Sequence, residues 1–167
     1  MNLRVRVNED VMSVLSTVTG APAPLRYATR WCLETSVFLD CLFTDPELAR
    51  IGLSETEAQA QGIAYRLFKV PMETNLRART LSETRGFAKA LVEADSDRIL
   101  GFTVFGVGAG EILAAVQIAM IAGLPYTALR DAVLTHPTLT EGLIPLFSSA
   151  ASAHNVVATR GAQTSAA

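Results

Sequence analysis

The sequence contains little charge and no excess of basic residues. Of its 167 residues 18% are charged, with 14 Lys and Arg against 16 Asp and Glu, which gives a formal net charge of -2 and a pI near 5.7. A chain of this charge has no basic field to attract nucleic acid or an anionic membrane surface. Half of the residues are hydrophobic and the mean hydropathy is +0.31. We therefore expect some apolar surface to be covered by a protein partner.

No apolar run is long enough for a membrane span, which needs about 20 residues. The longest run, residues 112–124, is interrupted by Gln117. Near the N-terminus, Glu9 and Asp10 argue against a signal peptide. The sequence therefore predicts a cytoplasmic protein that does not associate with a membrane.

Cysteine is scarce. Cys32 and Cys41 are separated by eight residues, which matches neither a Cys-x-x-Cys redox motif nor a zinc knuckle. We expect two free thiols and no metal site.

The length fits one domain with a sizeable core. Residues 1–36 lack a clean hydrophobic period and are interpreted as a poorly specified leader. Residues 37–150 carry the regular patterns, and residues 151–167 have little to bury, which is typical of a disordered tail.

Strand and helix signals alternate through the central region. Apolar or alternating runs predict strands at 37–43, 63–70, 87–93 and 98–105, with the last two forming a hairpin around 95–97. Capping, glycine and proline signals predict helices over 54–62, 111–122, 126–133 and 139–149. Residues 75–85 are interpreted as a polar, arginine-bearing connection.

Two of these helices are unusual. The helix over 111–122 is apolar almost all round, so it should be covered on more than one side, and we expect a dimer. Pro145 lies inside the last helix and should bend or shorten it.

Three glycines follow the second strand of the hairpin. Gly106, Gly108 and Gly110 have the spacing Gly-x-Gly-x-Gly, whereas a dinucleotide site needs Gly-x-Gly-x-x-Gly and a second parallel strand. Tight packing of strand against helix is the better interpretation.

The most suggestive stretch for chemistry is residues 135–141. Pro137 disfavours helical backbone at His136, and Thr138 with Glu141 forms a capping-box pattern, so the ring and the carboxylate should share one helix entrance. A histidine held by a carboxylate suits proton transfer. Two alternatives stay open: Glu141 only satisfies backbone N–H groups, or His136 is a packed loop histidine.

Four segments in register resemble the C-terminal dimerisation domain of the pyridine nucleotide-disulfide oxidoreductases, the family of glutathione reductase, dihydrolipoamide dehydrogenase and mercuric reductase. They are FTDPELARIGLSE at 43–55, TRGFAK at 84–89, DRILG at 97–101 and HPTLTE at 136–141. The stretch 124–131 is most similar to the bacterial branch that includes mercuric reductase and reactive-chlorine resistance proteins.

The resemblance implies an α+β fold, with an antiparallel sheet covered by helices, and a homodimer about a two-fold axis. It also implies that His136 is the acid/base for the redox thiols of the partner subunit and that Glu141 orients it. Full-length members use FAD and NAD(P)H. This sequence has no flavin or nicotinamide motif and no Cys-x-x-x-x-Cys pair, so we expect no cofactor bound by this chain alone and no activity on its own.

Three hypotheses follow. The first is a stand-alone dimerisation module that acts with a separate chain carrying FAD and NAD(P) domains. The second is a non-catalytic dimerising interaction protein or a truncated remnant without redox activity. The third is a thiol enzyme that uses Cys32 or Cys41 with His136.

Overall fold

The computed structural model describes the backbone of residues 28–33, 37–42 and 44–154, and the side chains of residues 44–152. The strands are β1 Ala28–Leu33, β2 Val37–Leu42, β3 Leu48–Gly52, β4 Tyr65–Pro71, β5 Phe87–Glu93, β6 Ile99–Phe105 and β7 Ser152–His154. The α-helices are α1 Glu55–Ala60, α2 Leu76–Thr80, α3 Ala109–Ile121, α4 Tyr126–Arg130 and α5 Leu143–Ser148. Short 3₁₀ turns lie at Met72–Thr74 and Thr140–Gly142.

All seven strands of these ranges belong to one sheet, in the order β1-β2-β3-β6-β5-β4-β7. Every neighbouring pair is antiparallel. The predicted fold class, α+β with an antiparallel sheet and helices packed on it, is confirmed.

The predicted hairpin of β5 and β6 is present, and it lies near the centre of the sheet. Phe87 pairs with Phe105 and Lys89 pairs with Thr103, so the register brings the same faces of the two strands together. Phe102 and Val104 are fully buried. Alternate residues of this hairpin therefore form the face of the sheet on which the helices pack.

Helix α3 packs mainly against β3 and β6, with smaller contacts to α4 and to the 3₁₀ turn Thr140–Gly142. Val116 is fully buried, whereas Ile118 and Ile121 are 67% and 66% exposed. Among the described residues, the face of this helix that carries Ile118 and Ile121 is left uncovered. None of the helices in the described ranges combines the length and apolarity required to cross a bilayer.

Three aromatic rings pack α4 and α5 against the sheet. Phe68 of β4 lies 5.2 Å from Tyr126 and 5.8 Å from Phe147, and those two rings are 5.4 Å apart, measured between centroids. Edge and tilted contacts of this kind add to the stabilisation from burial. The cluster sets the position of α5, which directly follows the turn that carries Glu141.

Several elements lie where the sequence suggested none. They are β3, which is buried at every position, the five-residue helix α2, and the edge strands β1 and β7. Strand β1 falls within the expected leader, and β7 falls within the expected disordered tail. Both are hydrogen-bonded to a neighbouring strand, β1 to β2 and β7 to β4, which supplies order that their own composition does not specify.

Pro145 shortens the last helix, as expected. The predicted helix over 139–149 is divided into the 3₁₀ turn Thr140–Gly142 and helix α5. Pro145 is the third residue of α5, where a missing N–H breaks no intrahelical bond.

The predicted capping box at the start of α1 is present and extends into the sheet. The Ser54 hydroxyl accepts from the Glu57 N–H at 3.1 Å, and the Glu57 carboxylate accepts from the Ser54 N–H at 2.8 Å. The same carboxylate pairs with the guanidinium of Arg50, which is only 3% exposed. Partial burial disfavours ionisation of Glu57, but the Ser54 N–H and the Arg50 charge outweigh it and hold the pKa of Glu57 below its usual 4.5.

We expect Glu57→Gln to lower the free energy of unfolding at pH 7 by roughly 1–3 kcal/mol, because buried Arg50 loses its charged partner. The folded state lowers the pKa of Glu57, so the contribution is complete above pH 4.5 and is lost as the pH falls through the folded-state value. Urea unfolding between pH 7 and pH 3 checks this: the acid loss of stability should be smaller in Glu57→Gln. The exposed Glu73→Gln is the control, and an equal acid slope in Glu57→Gln and the wild type would contradict the prediction.

Candidate functional site

The predicted site segment is an extended turn between α4 and α5. His136 lies outside any helix and precedes the 3₁₀ turn Thr140–Gly142. The Thr138 hydroxyl donates to the Thr135 carbonyl at 2.8 Å and accepts from the Glu141 N–H at 3.3 Å. Thr138 thus closes the turn and places residues 136 and 141 on the same side of it.

Only half of the expected capping box forms here. The Glu141 carboxylate does not return to the backbone of Thr138; both of its oxygens contact Nδ1 of His136, at 2.9 and 3.0 Å. A carboxylate can only accept, so in the neutral ring this contact selects the tautomer with the proton on Nδ1 and the lone pair on Nε2. The interpretation that Glu141 only satisfies backbone groups therefore does not hold.

The His136 side chain is 62% exposed, and that of Glu141 is 26% exposed. The ring is thus not a packed loop histidine, and its free nitrogen is available to a group from outside the described part of the chain. An imidazole with one nitrogen fixed and the other open can accept a proton and return it. Its catalytic role remains a prediction.

A cleft of about 180 Å³ lies beside the pair. It is lined by Thr74, Asn75, Leu76, His136, Glu141, Gly142, Ile144 and Pro145. The cleft therefore joins the region around α2 to the turn between α4 and α5, although these segments are far apart in sequence.

Asn75 is the residue of this site that the sequence analysis missed. Its side chain is the N-cap of α2, accepting from the Ala78 N–H at 3.2 Å, and it donates to the Leu139 carbonyl at 2.6 Å. An asparagine ahead of a short run of helix formers is an N-cap signal and could have indicated α2. The contact with Leu139 has no local signal, since 64 residues separate the two.

The glycine-rich loop between β6 and α3 is closely packed, but against Met72 and Leu139 rather than as the strand against the helix that was predicted. A Cβ at Gly106 would lie 2.8 Å from the Met72 side chain, and one at Gly108 would lie 2.5 Å from the Leu139 side chain. The Glu47 carboxylate already approaches the N-terminus of α3, 3.4 Å from the Gly110 N–H. One backbone donor at the start of α3 thus faces a carboxylate of the same chain.

The strand register bears on the thiol hypothesis. Cys41 pairs with Thr29, which lies three ladder positions from Cys32, so the two cysteine Cα atoms are about 11 Å apart. A disulfide requires a Cα separation below about 7 Å. Strand β2 is also four strand spacings, roughly 19 Å, from β4, which leads into the cleft. The geometry therefore favours separate thiols and does not favour a pairing of Cys41 with His136.

Sequence comparison identifies the family. Residues 39–146 match the family described as pyridine nucleotide-disulphide oxidoreductase, dimerisation domain. That range covers well over half of the chain, and this chain belongs to the family.

Its relatives include proteins of two kinds. The probable pyridine nucleotide-disulfide oxidoreductase RclA of Escherichia coli is 38% identical over 107 residues, covering 64% of this chain and 24% of RclA. The mitochondrial dihydrolipoyl dehydrogenase of Caenorhabditis elegans is 33% identical over 136 residues, covering 81% of this chain and 26% of that enzyme. The chain thus spans about a quarter of the length of these curated relatives.

Solved structures agree. The HOCl-induced flavoprotein disulfide reductase RclA from Escherichia coli superposes with a TM-score of 0.64 at 31% identity, covering 84% of this chain and 31% of RclA. LpdA from Mycobacterium tuberculosis superposes with a TM-score of 0.60 at 22% identity, covering 80% of this chain and 28% of LpdA, and supports the fold alone. The fold, the family and the domain type are therefore consistent with one another.

Proposed function

We propose that this chain provides the dimerisation domain of an FAD-dependent pyridine nucleotide-disulfide oxidoreductase and supplies the His136–Glu141 pair as the acid/base for thiol/disulfide chemistry across a homodimer interface. The observation that carries the proposal is the geometry of the pair: both Glu141 oxygens hold Nδ1, and the exposed ring leaves Nε2 open. The redox thiols, FAD and NAD(P)H belong to a separate chain or to another part of a longer protein. Alone, the described domain is inactive.

The chemistry assigned to the pair is proton transfer to and from sulfur. A thiol of the partner subunit gives its proton to Nε2 of His136, and the Glu141 carboxylate stabilises the resulting imidazolium. The thiolate attacks one sulfur of a substrate disulfide, forming a new S–S bond as the original one breaks. The departing thiolate then takes the proton back from His136. One S–S bond forms for each one that breaks, and the proton passes from the first thiol to the departing sulfur.

The homodimer is supported by the uncovered face of α3. Ile118 and Ile121 lie one turn apart, and both are about two-thirds exposed, with Leu124 45% exposed just beyond the helix. An apolar helix face that the described residues leave exposed is typical of a protein interface. In a two-fold contact the same face of each protomer is buried. The proposal includes a cytoplasmic location, which the scarce, separate cysteines favour.

Sedimentation equilibrium and a flavin titration test the proposal. We expect a species of twice 17.8 kDa at micromolar concentration. We also expect a colourless protein that binds no FAD when FAD is added, because this sequence contains no flavin-binding motif. A stable monomer would contradict the homodimer, and a stoichiometric flavin absorption band would contradict the assignment of FAD to another segment.

A further inference from the structure

We propose that Asn75 is a positioning residue of the site: its side-chain amide fixes the turn at residues 139–142 and so keeps the Glu141 carboxylate on the His136 ring. The inference rests on the proposed function of that pair, but it is a statement about geometry that can be tested separately. It extends the site to a residue that touches neither the ring nor the reacting sulfur.

Both polar atoms of the Asn75 side-chain amide form hydrogen bonds. The amide oxygen accepts from the Ala78 N–H at 3.2 Å, and the amide nitrogen donates to the Leu139 carbonyl at 2.6 Å. Asn75 is 4% exposed, so water cannot replace these contacts without opening the structure. One buried amide thus joins α2 to the turn that holds Glu141.

Gly142 shows how closely the turn is seated on Asn75. Its φ of -59° suits any residue, so the backbone does not require glycine there. A Cβ at Gly142 would, however, lie 2.3 Å from the Asn75 amide nitrogen. Glycine is needed at this position because Asn75 occupies the space.

Leu139 is held from its other side by the glycine-rich loop. Gly108 has a φ of +63°, and a Cβ there would lie 2.5 Å from the Leu139 side chain. The loop therefore receives the side chain of Leu139, and Asn75 binds its carbonyl. Glu141 follows two residues later, so a shift of Leu139 would move the carboxylate away from Nδ1.

Asn75→Ser is the decisive variant. A serine hydroxyl is as good an N-cap as asparagine, so α2 keeps its cap, but the shorter side chain does not reach Leu139. The readout is the ratio of the two neutral tautomers of His136, measured from the ring ¹⁵N shifts of the 167-residue chain. His154→Gln assigns the signals, since the chain has two histidines. We expect the ratio of the Nδ1–H tautomer to the Nε2–H tautomer to fall by about two- to tenfold, the range expected for the loss of one hydrogen bond.

Ser54→Ala is the matched control. Ser54 is also a buried N-cap, 6% exposed, but it caps α1 and lies outside the cleft. It should lower stability while leaving the His136 tautomer ratio unchanged. A folded Asn75→Ser protein with the wild-type ratio would overturn the proposal.

A double-mutant cycle gives a second, independent test. Gly142→Ala should perturb the His136 signals in the wild type and clearly less in Asn75→Ala, because the group it collides with is then gone. Equal effects in the two backgrounds would contradict the proposal.

The two proposals can fail separately. The proposed function would be refuted if the thiol/disulfide reaction proceeded without His136. A changed tautomer ratio in Asn75→Ser would still leave Asn75 as a positioning residue. An unchanged ratio with a redox reaction that needs His136 would refute only the role of Asn75.

Discussion

Replacing His136 by glutamine is expected to lower kcat for disulfide reduction by about 10²–10⁴-fold, the usual contribution of a general acid/base. The assay uses a chimera in which residues 37–154 of this chain replace the matching part of Escherichia coli RclA, a flavoprotein disulfide reductase that shares its fold. Glutamine is neutral and close to histidine in size, so the cleft keeps its shape while proton transfer is lost. NAD(P)H-dependent reduction of a small disulfide measures the effect.

Two variants of the same chimera serve as controls. His154→Gln removes the other histidine and should leave kcat unchanged. Glu141→Gln keeps an acceptor near Nδ1 but removes its charge, so it should have an intermediate effect. A chimera whose His136→Gln variant turns over at the parental rate would show that this histidine has no part in the reaction.

Placing glutamate at both Ile118 and Ile121 is expected to convert the dimer into a monomer. Two isoleucines from each protomer, at roughly 1.5 kcal/mol or more for each buried side chain, contribute about 6 kcal/mol to the free energy of dimerisation. Their loss should therefore raise the Kd of the dimer about 10⁴-fold. Since both side chains are exposed in the protomer, the fold itself should tolerate the change. Sedimentation equilibrium gives the mass, and circular dichroism confirms that the monomer is folded.

Leu81→Glu is the control for this prediction. Leu81 is also a partly exposed apolar residue, but it caps α2 rather than lying on α3. It should leave the dimer intact. An undissociated dimer of the Ile118/Ile121 double variant would place the interface elsewhere.

The parts of the fold that could be predicted from the sequence have strong local signals. The hairpin of β5 and β6 alternates on both sides of a polar turn, and α3 ends at a glycine and a proline. Strand β3 was missed because all five of its residues are buried, so no alternation marks it, and it contains Arg50. Helix α2 was missed because five residues are too few to show a helical period.

The residues of the site also differ in whether a local sequence signal marks them. His136 and Glu141 could be proposed because proline and the capping pattern fix a local turn. Asn75 could not, because its contact with Leu139 depends on how the whole domain folds. The glycine-rich loop was assigned to packing of strand against helix, but its close contact with the Leu139 side chain appears only in the three-dimensional structure.

Mixed dimers test the central claim most directly, namely that His136 acts on the thiols of the other subunit. One chimera carries His136→Gln, and the other lacks the redox cysteine; each is inactive alone. Random exchange makes half of the dimers mixed, and each mixed dimer contains one site with both groups intact, so about a quarter of the parental activity should return. If the mixture stays as inactive as its components although exchange is complete, the pair does not act across the two-fold interface.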